Sequence, residues 1–452
     1  MNKKNKSNNE VEEFNYFSGK LIKNNHTKQK NINSSTQKST ENLYSENSIT
    51  WNKLDTHDSN FPNTVEDQIK RRWAWVEVDL RAISNNLRVT KNFVGPNVKI
   101  MAIVKANAYG HGTVRVAKTA LNSGASMLGV SNVNEALELR FAGINCPILV
   151  LTQPPQTSID CLAKYDIMPS IYTADFAIKY GEACMNQNKA APYHLAVNTG
   201  MNRIGVDWDK ASNLLAQINF HKALKLEGTF THFATADESE TLDFEKQYRR
   251  FCLCLDTLKS SGFDPGIIHC ANTAAIFRYK KTHFDMVRLG IGMYGYYVSD
   301  DIIPKVKLIP ALSVHARIVD ERIVGIGEGV SYGMNYRARN SVKICVVPLG
   351  YADGLPRILS NKINVLYKGY KFPQVGNICM DQFMFEIDMN SSYAQKNLNA
   401  QIGDEVIIIG TQTNLETNQT SSISLDELAE KSSTIVNELA CDLCLRMPIV
   451  YK

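Results

Sequence analysis

Between residues 99 and 289 the chain repeats one pattern: a short apolar run, then a helix-length amphipathic segment. The runs fall at 100–104, 127–130, 147–151, 168–172, 193–197, 226–233, 267–270 and 286–289, with segments such as 113–121, 134–141, 174–185, 208–218 and 244–258 between them. A strand that is apolar on both faces needs cover on both sides, which helices over a parallel sheet provide. Eight such units fit an α/β fold of the (β/α)8 TIM barrel type. Counting alone leaves an open doubly wound sheet as the alternative. After about residue 308 the rhythm changes. Runs at 312–319, 343–347, 363–367, 383–387 and 405–409 are β-rich, with turn residues between them. Only 425–443 reads as helical there, with Ser424 as N-cap and Glu427 completing a capping box. The expected organisation is a barrel over 71–307 and a mainly β C-terminal domain over 308–452.

Residues 1–70 differ from both. They are rich in Asn, Lys, Ser and Thr and poor in aliphatic side chains, so they cannot bury enough apolar surface to offset ordering entropy. They read as a disordered extension. Order is expected from about Arg71, with a strand over 73–78 and a helix from Asp79, a plausible N-cap, to Val89. The formal net charge of +5 is small for 452 residues, and no basic stripe with interleaved aromatics suits a nucleic acid. No apolar run has the length of a membrane span, and the first ten residues lack the apolar core of a secretory signal. The ten cysteines are scattered, which fits reduced thiols in the cytoplasm. Cys441 and Cys444 form a single CxxC, best read as the buried face of a helix.

In a barrel, function collects where the strands end. The first run ends in Lys105 within KANAYGHG, a reacting amine or a lysine leaving for solvent. Arg203 follows the fifth run and His232 ends the sixth. His269, Asn272 and Thr273 end the seventh, and Arg288, Gly290 and Ile291 the eighth. Singly, each has a bland explanation: strand-end histidines with satisfied hydrogen bonds, arginines in ordinary ion pairs, Tyr109 in the core or rim. The loops after strands seven and eight are where such barrels hold phosphate, and Thr273, Gly290 and Ile291 offer a hydroxyl and backbone N–H groups there. Gly290 to Gly295 also matches GxGxxG. It comes late in the series with no convincing helix after it, which argues against a dinucleotide. A lysine, a phosphate-type turn and cationic anchors on one rim point to pyridoxal 5'-phosphate.

The motifs KANAYGHG, GMNRIGV, THFATADE, HCANTAA, VRLGIGMYG, GVSYG, PLGYADG and VGNICMDQ occur here in the order found in alanine racemases. From about Trp73 to Pro448 the chain resembles that family, whose members are fold-type III pyridoxal phosphate enzymes acting as homodimers. The resemblance implies Lys105 as the Schiff-base lysine and the base for one enantiomer, and Tyr332 as the base on the opposite face. It implies His232 as the contact of that tyrosine and Arg288 as the partner of the pyridine nitrogen. Tyr109, Thr273, Gly290 and Ile291 match phosphate contacts, and His232 and Asn272 lie on the cofactor side. Arg203 and Met380 match substrate-binding positions, with Tyr351 and Asp381 lining the same region. Tyr332, Tyr351 and Met380 would reach the barrel of the other subunit. The product would be D-alanine for peptidoglycan.

Two stretches depart from the family. Ala196 stands where many members carry a carbamylated lysine bonded to the arginine, and Asn198 where aspartate is common. Something else must therefore position Arg203. Leu445 stands where a phenol contacts the phosphate and narrows the entrance, which makes serine a plausible further substrate. The alternatives are a broader small amino-acid racemase and a non-catalytic pyridoxal phosphate carrier. GVSYG argues against the carrier, which lacks the β domain.

Overall fold

The computed structural model describes residues 64–298, 306–390 and 400–452. Eight parallel strands line up in sequence order: Lys99–Ile103, Met127–Val130, Ile148–Val150, Met168–Ile171, Ala191–Asn198, Leu224–Phe230, Ile267–His269 and Met286–Leu289. The eighth pairs with the first, placing Arg288 opposite Met101. The seventh and eighth meet through Asp285 N–H on the Ile268 carbonyl at 3.2 Å and Arg288 N–H on the Ala271 carbonyl at 2.9 Å. An open sheet is thereby excluded. Residues such as Ile100, Met101, Leu128, Leu149 and Leu195 are fully buried. Each contributes roughly 1.5–3 kcal/mol by leaving water.

The N-terminal boundary differs from the sequence expectation in two ways. Residues 1–63 lie outside the described residues, but Val65–Arg71 form a helix capped by the Thr64 hydroxyl, within the stretch composition assigned to disorder. Ala74–Val78 is the expected strand, yet it does not belong to the barrel. It pairs antiparallel with Leu312–Arg317 and parallel with Ile449–Tyr451, inside the β sheet built by the second half of the chain. Periodicity identifies a strand but not its partners. The helix that follows runs Leu80–Val94, with the Asp79 carboxylate accepting from Arg81 N at 2.8 Å and Ala82 N at 3.3 Å.

The C-terminal half is mainly β, as expected, and its sheet is mainly antiparallel. The single helix expected over 425–443 is two, Leu425–Lys431 and Val436–Asp442, interrupted where Ser433 has φ +58°. Ser424 caps the first by accepting from Glu427 N at 3.0 Å. The capping box is not closed, because the Glu427 carboxylate binds Lys431 at 2.6 Å one turn on. Cys444 is buried just beyond the second helix, and all ten cysteines are free thiols. Among the described residues no helix is long and apolar enough to cross a membrane.

Candidate active site

Lys105 follows the first barrel strand and is half-buried. The next four residues, Ala106, Asn107, Ala108 and Tyr109, have φ between 51° and 53°, one turn of left-handed helix without a glycine. That conformation costs roughly 1–2 kcal/mol per residue, so the surroundings must impose it. Ala106 N–H donates to Glu135 Oε1 at 2.8 Å, and Glu135 Oε2 accepts from Ser131 N at 2.6 Å. One carboxylate thus ties the ends of barrel strands one and two and fixes the peptide that follows Lys105. Asn107 Oδ1 accepts from Thr113 N at 3.0 Å, and His111 Nδ1 donates to the Tyr109 carbonyl at 2.8 Å. Gly110, at φ +82°, closes the turn. A Cβ there would lie 2.3 Å from the Ala440 carbonyl oxygen, so the turn rests directly on the C-terminal helix pair.

The loops after strands seven and eight form a donor cradle. Asn272 Oδ1 accepts from Ala275 N at 3.1 Å and caps the helix Thr273–Arg278. Thr273 Oγ1 accepts from Gly290 N at 3.2 Å and Gly292 N at 3.4 Å. A Cβ on Gly290 would sit 3.2 Å from the Tyr109 hydroxyl and 3.7 Å from Thr273 Oγ1, so two hydroxyls converge on this glycine. Ile291 opens the short turn Ile291–Tyr294 beside them. Burial raises the Tyr109 phenol well above its usual range, which keeps it a neutral donor.

Arg288 is buried in the barrel mouth. Its guanidinium donates to the carbonyls of His269 at 2.9 Å, Thr231 at 2.9 Å and Cys270 at 3.2 Å. It also donates to His232 Nδ1 at 3.0 Å and His269 Nδ1 at 3.2 Å. No carboxylate is among these partners. Burial lowers Arg288 to about 10, which leaves it charged at neutral pH. Burial, and then the nearby charges of Arg288, Arg203 and Lys105, press His232 down to about 3. The four groups therefore share one site. Arg203 is exposed at its edge. Its loop is organised by Asn198, whose Oδ1 accepts from Gly200 N at 3.1 Å and Asn202 N at 3.0 Å.

The remaining expected residues lie on the β domain. Tyr332, Tyr351 and Met380 are 75%, 41% and 53% exposed. Asn377 donates to the Tyr332 carbonyl at 2.6 Å, and Tyr351 N–H donates to the Cys379 carbonyl at 3.0 Å. Asp381 accepts from Arg446, which also donates to the buried carboxylate of Asp353 at 2.9 Å. Among the described residues no hydrogen bond or ion pair joins Tyr332, Tyr351, Met380 or Asp381 to Lys105 or to the cradle.

The alanine racemase N-terminal domain family matches residues 78–298, and the alanine racemase C-terminal domain family matches 311–451. The chain belongs to the alanine racemase family. Alanine racemase of Halothermothrix orenii is 39% identical over 381 residues, covering 84% of this chain and 97% of that protein. Alanine racemase 1 of Bacillus subtilis is 40% identical over 384 residues, covering 84% and 93%. The crystal structure of alanine racemase from Bacillus anthracis with bound L-Ala-P superposes with a TM-score of 0.76 at 39% identity, covering 84% of this chain and 95% of that one. As an alanine racemase family member the chain keeps its departures. Ala196 is buried in the fifth barrel strand, and Leu445 is 60% exposed beside Arg446.

Three supporting residues escaped the sequence reading. Glu135 could have been found from Asn132-x-x-Glu135, since Asn132 caps the helix Val133–Phe141 and accepts from Glu135 N at 3.0 Å. Gln247 is buried and ties the His232 carbonyl at 3.0 Å to the Thr199 hydroxyl at 3.2 Å, and nothing local in the helix Leu242–Ser260 signals it. Asp353, fully buried, anchors Arg72 and Arg446 and accepts from Gly350 N at 2.9 Å.

Proposed function

We propose that this chain is an alanine racemase that interconverts L- and D-alanine with pyridoxal 5'-phosphate, as a homodimer with shared sites. The carrying observation is the convergence of Lys105, the Tyr109–Thr273–Gly290 cradle and the buried Arg288 at one barrel mouth. These groups fit the cofactor: a primary amine for its aldehyde, neutral donors for its phosphate, and a charged donor for its pyridine nitrogen. When bound, the cofactor stabilises negative charge at the substrate Cα.

The chain's own residues supply the rest. Lys105 carries the cofactor and moves the Cα proton on one face. Tyr109, Thr273, Gly290 and Ile291 receive the phosphate, with Asn272 holding Thr273 in place. Arg288 cannot accept a proton, so it donates to the pyridine nitrogen and leaves it unprotonated. With Arg288 as that partner, the cofactor when bound would be a weaker electron sink. Arg203 faces the substrate carboxylate. Tyr332 serves the opposite face from a second copy, in contact with His232, and brings Tyr351, Met380 and Asp381 as lining. Two bases on opposite faces are what inversion requires. The exposure of Tyr332, Tyr351 and Met380 in one chain supports this assignment. Free cysteines support a cytoplasmic location, and D-alanine for peptidoglycan is the proposed use.

The test is a coupled assay for D-alanine from L-alanine, with L-serine and larger amino acids in parallel. Racemisation by the intact chain and none by Lys105→Ala is the expected result. Wild-type rates in Lys105→Ala would overturn the mechanism. Pyridoxal phosphate binding without racemisation would favour a carrier.

A further inference from the structure

The hydrogen bonds around Arg288 fix more than its own position. A guanidinium donates and never accepts. His232 Nδ1 and His269 Nδ1, at 3.0 and 3.2 Å, are therefore acceptors. A neutral imidazole has one proton, so in both rings it sits on Nε2. His269 Nε2 lies 2.8 Å from His194 Nδ1, and its proton is donated there. His194 must then carry its own proton on Nε2. That atom is buried and has no hydrogen-bond partner among the described residues.

The rings are also held from the sides. Phe230 stacks on His269 at 5.0 Å and 12° and lies 5.5 Å from the Arg288 guanidinium carbon. Gly228 leaves room for His194, since a Cβ there would come within 2.7 Å of its Cε1 and Nδ1. The opposite tautomer of His194 would point an N–H at the N–H of His269 and lose the ring's single bond. A neutral state for all three imidazoles also follows from their burial, with His194 and His232 pressed down to about 3.

We propose that His194 is a positioning residue for the racemase reaction: it accepts from His269, locks that ring with Nδ1 toward Arg288, and so orients the guanidinium that meets the cofactor. The proposal rests on the proposed role of Arg288. Nothing in the family resemblance assigned a role to His194, which lies two residues before the departure at Ala196.

Neutron diffraction from the full-length protein in heavy water tests it without reference to turnover. The expected map has deuterium on Nε2 and none on Nδ1 of His194, His269 and His232. Deuterium on His269 Nδ1 overturns the proposal. Kinetics of holoenzyme variants supply the second arm. His194→Asn retains an acceptor near the Nδ1 position, whereas His194→Leu removes it. The Leu variant is expected to lose kcat about tenfold with KM within about twofold, and the Asn variant to recover most of that loss. Equal losses in both, or none in His194→Leu, overturn it. Should His194→Leu fail to fold, the neutron map decides alone. If the intact chain does not racemise alanine, the proposed function fails while the proton positions are still read.

Discussion

Lys105 takes its direction from Glu135, whose carboxylate binds the amide immediately after it and the amide that ends the next strand. Removing that carboxylate frees a strained turn next to the reacting amine. Glu135→Ala should lower kcat about tenfold, and Glu135→Gln should fall between, since one amide oxygen can still accept from Ala106. Steady-state racemisation kinetics check this, and an unimpaired Glu135→Ala would refute it. The buried histidines set a second expectation. Burial depresses His111 to about 4 and His194 and His232 to about 3, against about 6.5 in an unfolded chain. Between these values the unfolded state binds more protons than the native state. Stability therefore rises with pH across this window and is lost as pH falls below about 6.5, by on the order of 1 kcal/mol per histidine for each pH unit. Urea unfolding at pH 7.5 and 5.5 should show the lower value at 5.5; equal values would contradict it. Leu445 carries the third. It is exposed beside Arg446 and has no hydroxyl to donate; at its proposed place by the cofactor phosphate it would leave a roomier entrance, so racemisation of L-serine should be measurable beside that of L-alanine. No detectable serine turnover would count against this.

At the scale of elements, most barrel strands were legible because they are buried on both faces and read as apolar runs, although Leu224–Phe230 exposes Lys225 and Glu227 in its first half. The ends of those strands were legible for the same reason, since Lys105, His232 and Arg288 interrupt the runs abruptly. What stayed hidden depends on contacts distant in sequence. Ala74–Val78 reads as a strand, but its partners lie more than two hundred residues away, so its place in the second sheet could not be read locally. Ser433 breaks a helix whose apolar spacing continues through it. The left-handed turn after Lys105 is made of residues with no preference for it, and its cause is Glu135, Thr113 and the C-terminal helix pair. Gly110 is the contact point. Gly110→Ala would place a Cβ at φ +82° and 2.3 Å from the Ala440 oxygen, so either the turn or the helix Val436–Asp442 must shift. A loss of roughly 1–3 kcal/mol is expected, read as a lowered Tm with reduced cofactor retention. An unchanged Tm would show that the turn does not bear on that helix.

At the scale of the whole molecule, the two halves of the proposed chemistry do not meet within one chain. Lys105 sits in the barrel mouth, while Tyr332 is 75% exposed on the β domain, held by Asn377 and without a bond to any barrel-mouth residue among those described. Tyr351 and Met380 flank it on loops that interlock through the Cys379 and Met380 carbonyls. Asp353 and Arg446 brace the same face from behind. Such a face is built to order side chains that its own chain leaves in water, which is what a two-fold symmetric partner would use. The consequence is complementation. Lys105→Ala and Tyr332→Phe should each be inactive as pure proteins, because every site lacks one base. After subunit exchange in a mixture, a heterodimer has one site with both substitutions and one with neither. Random exchange of equal amounts makes half the dimers mixed, with one of two sites intact, so activity should return to about a quarter of wild type. A mixture that stays inactive after exchange is demonstrated would place Tyr332 in its own chain's site, and full activity in either pure variant would remove that residue from the pair of bases.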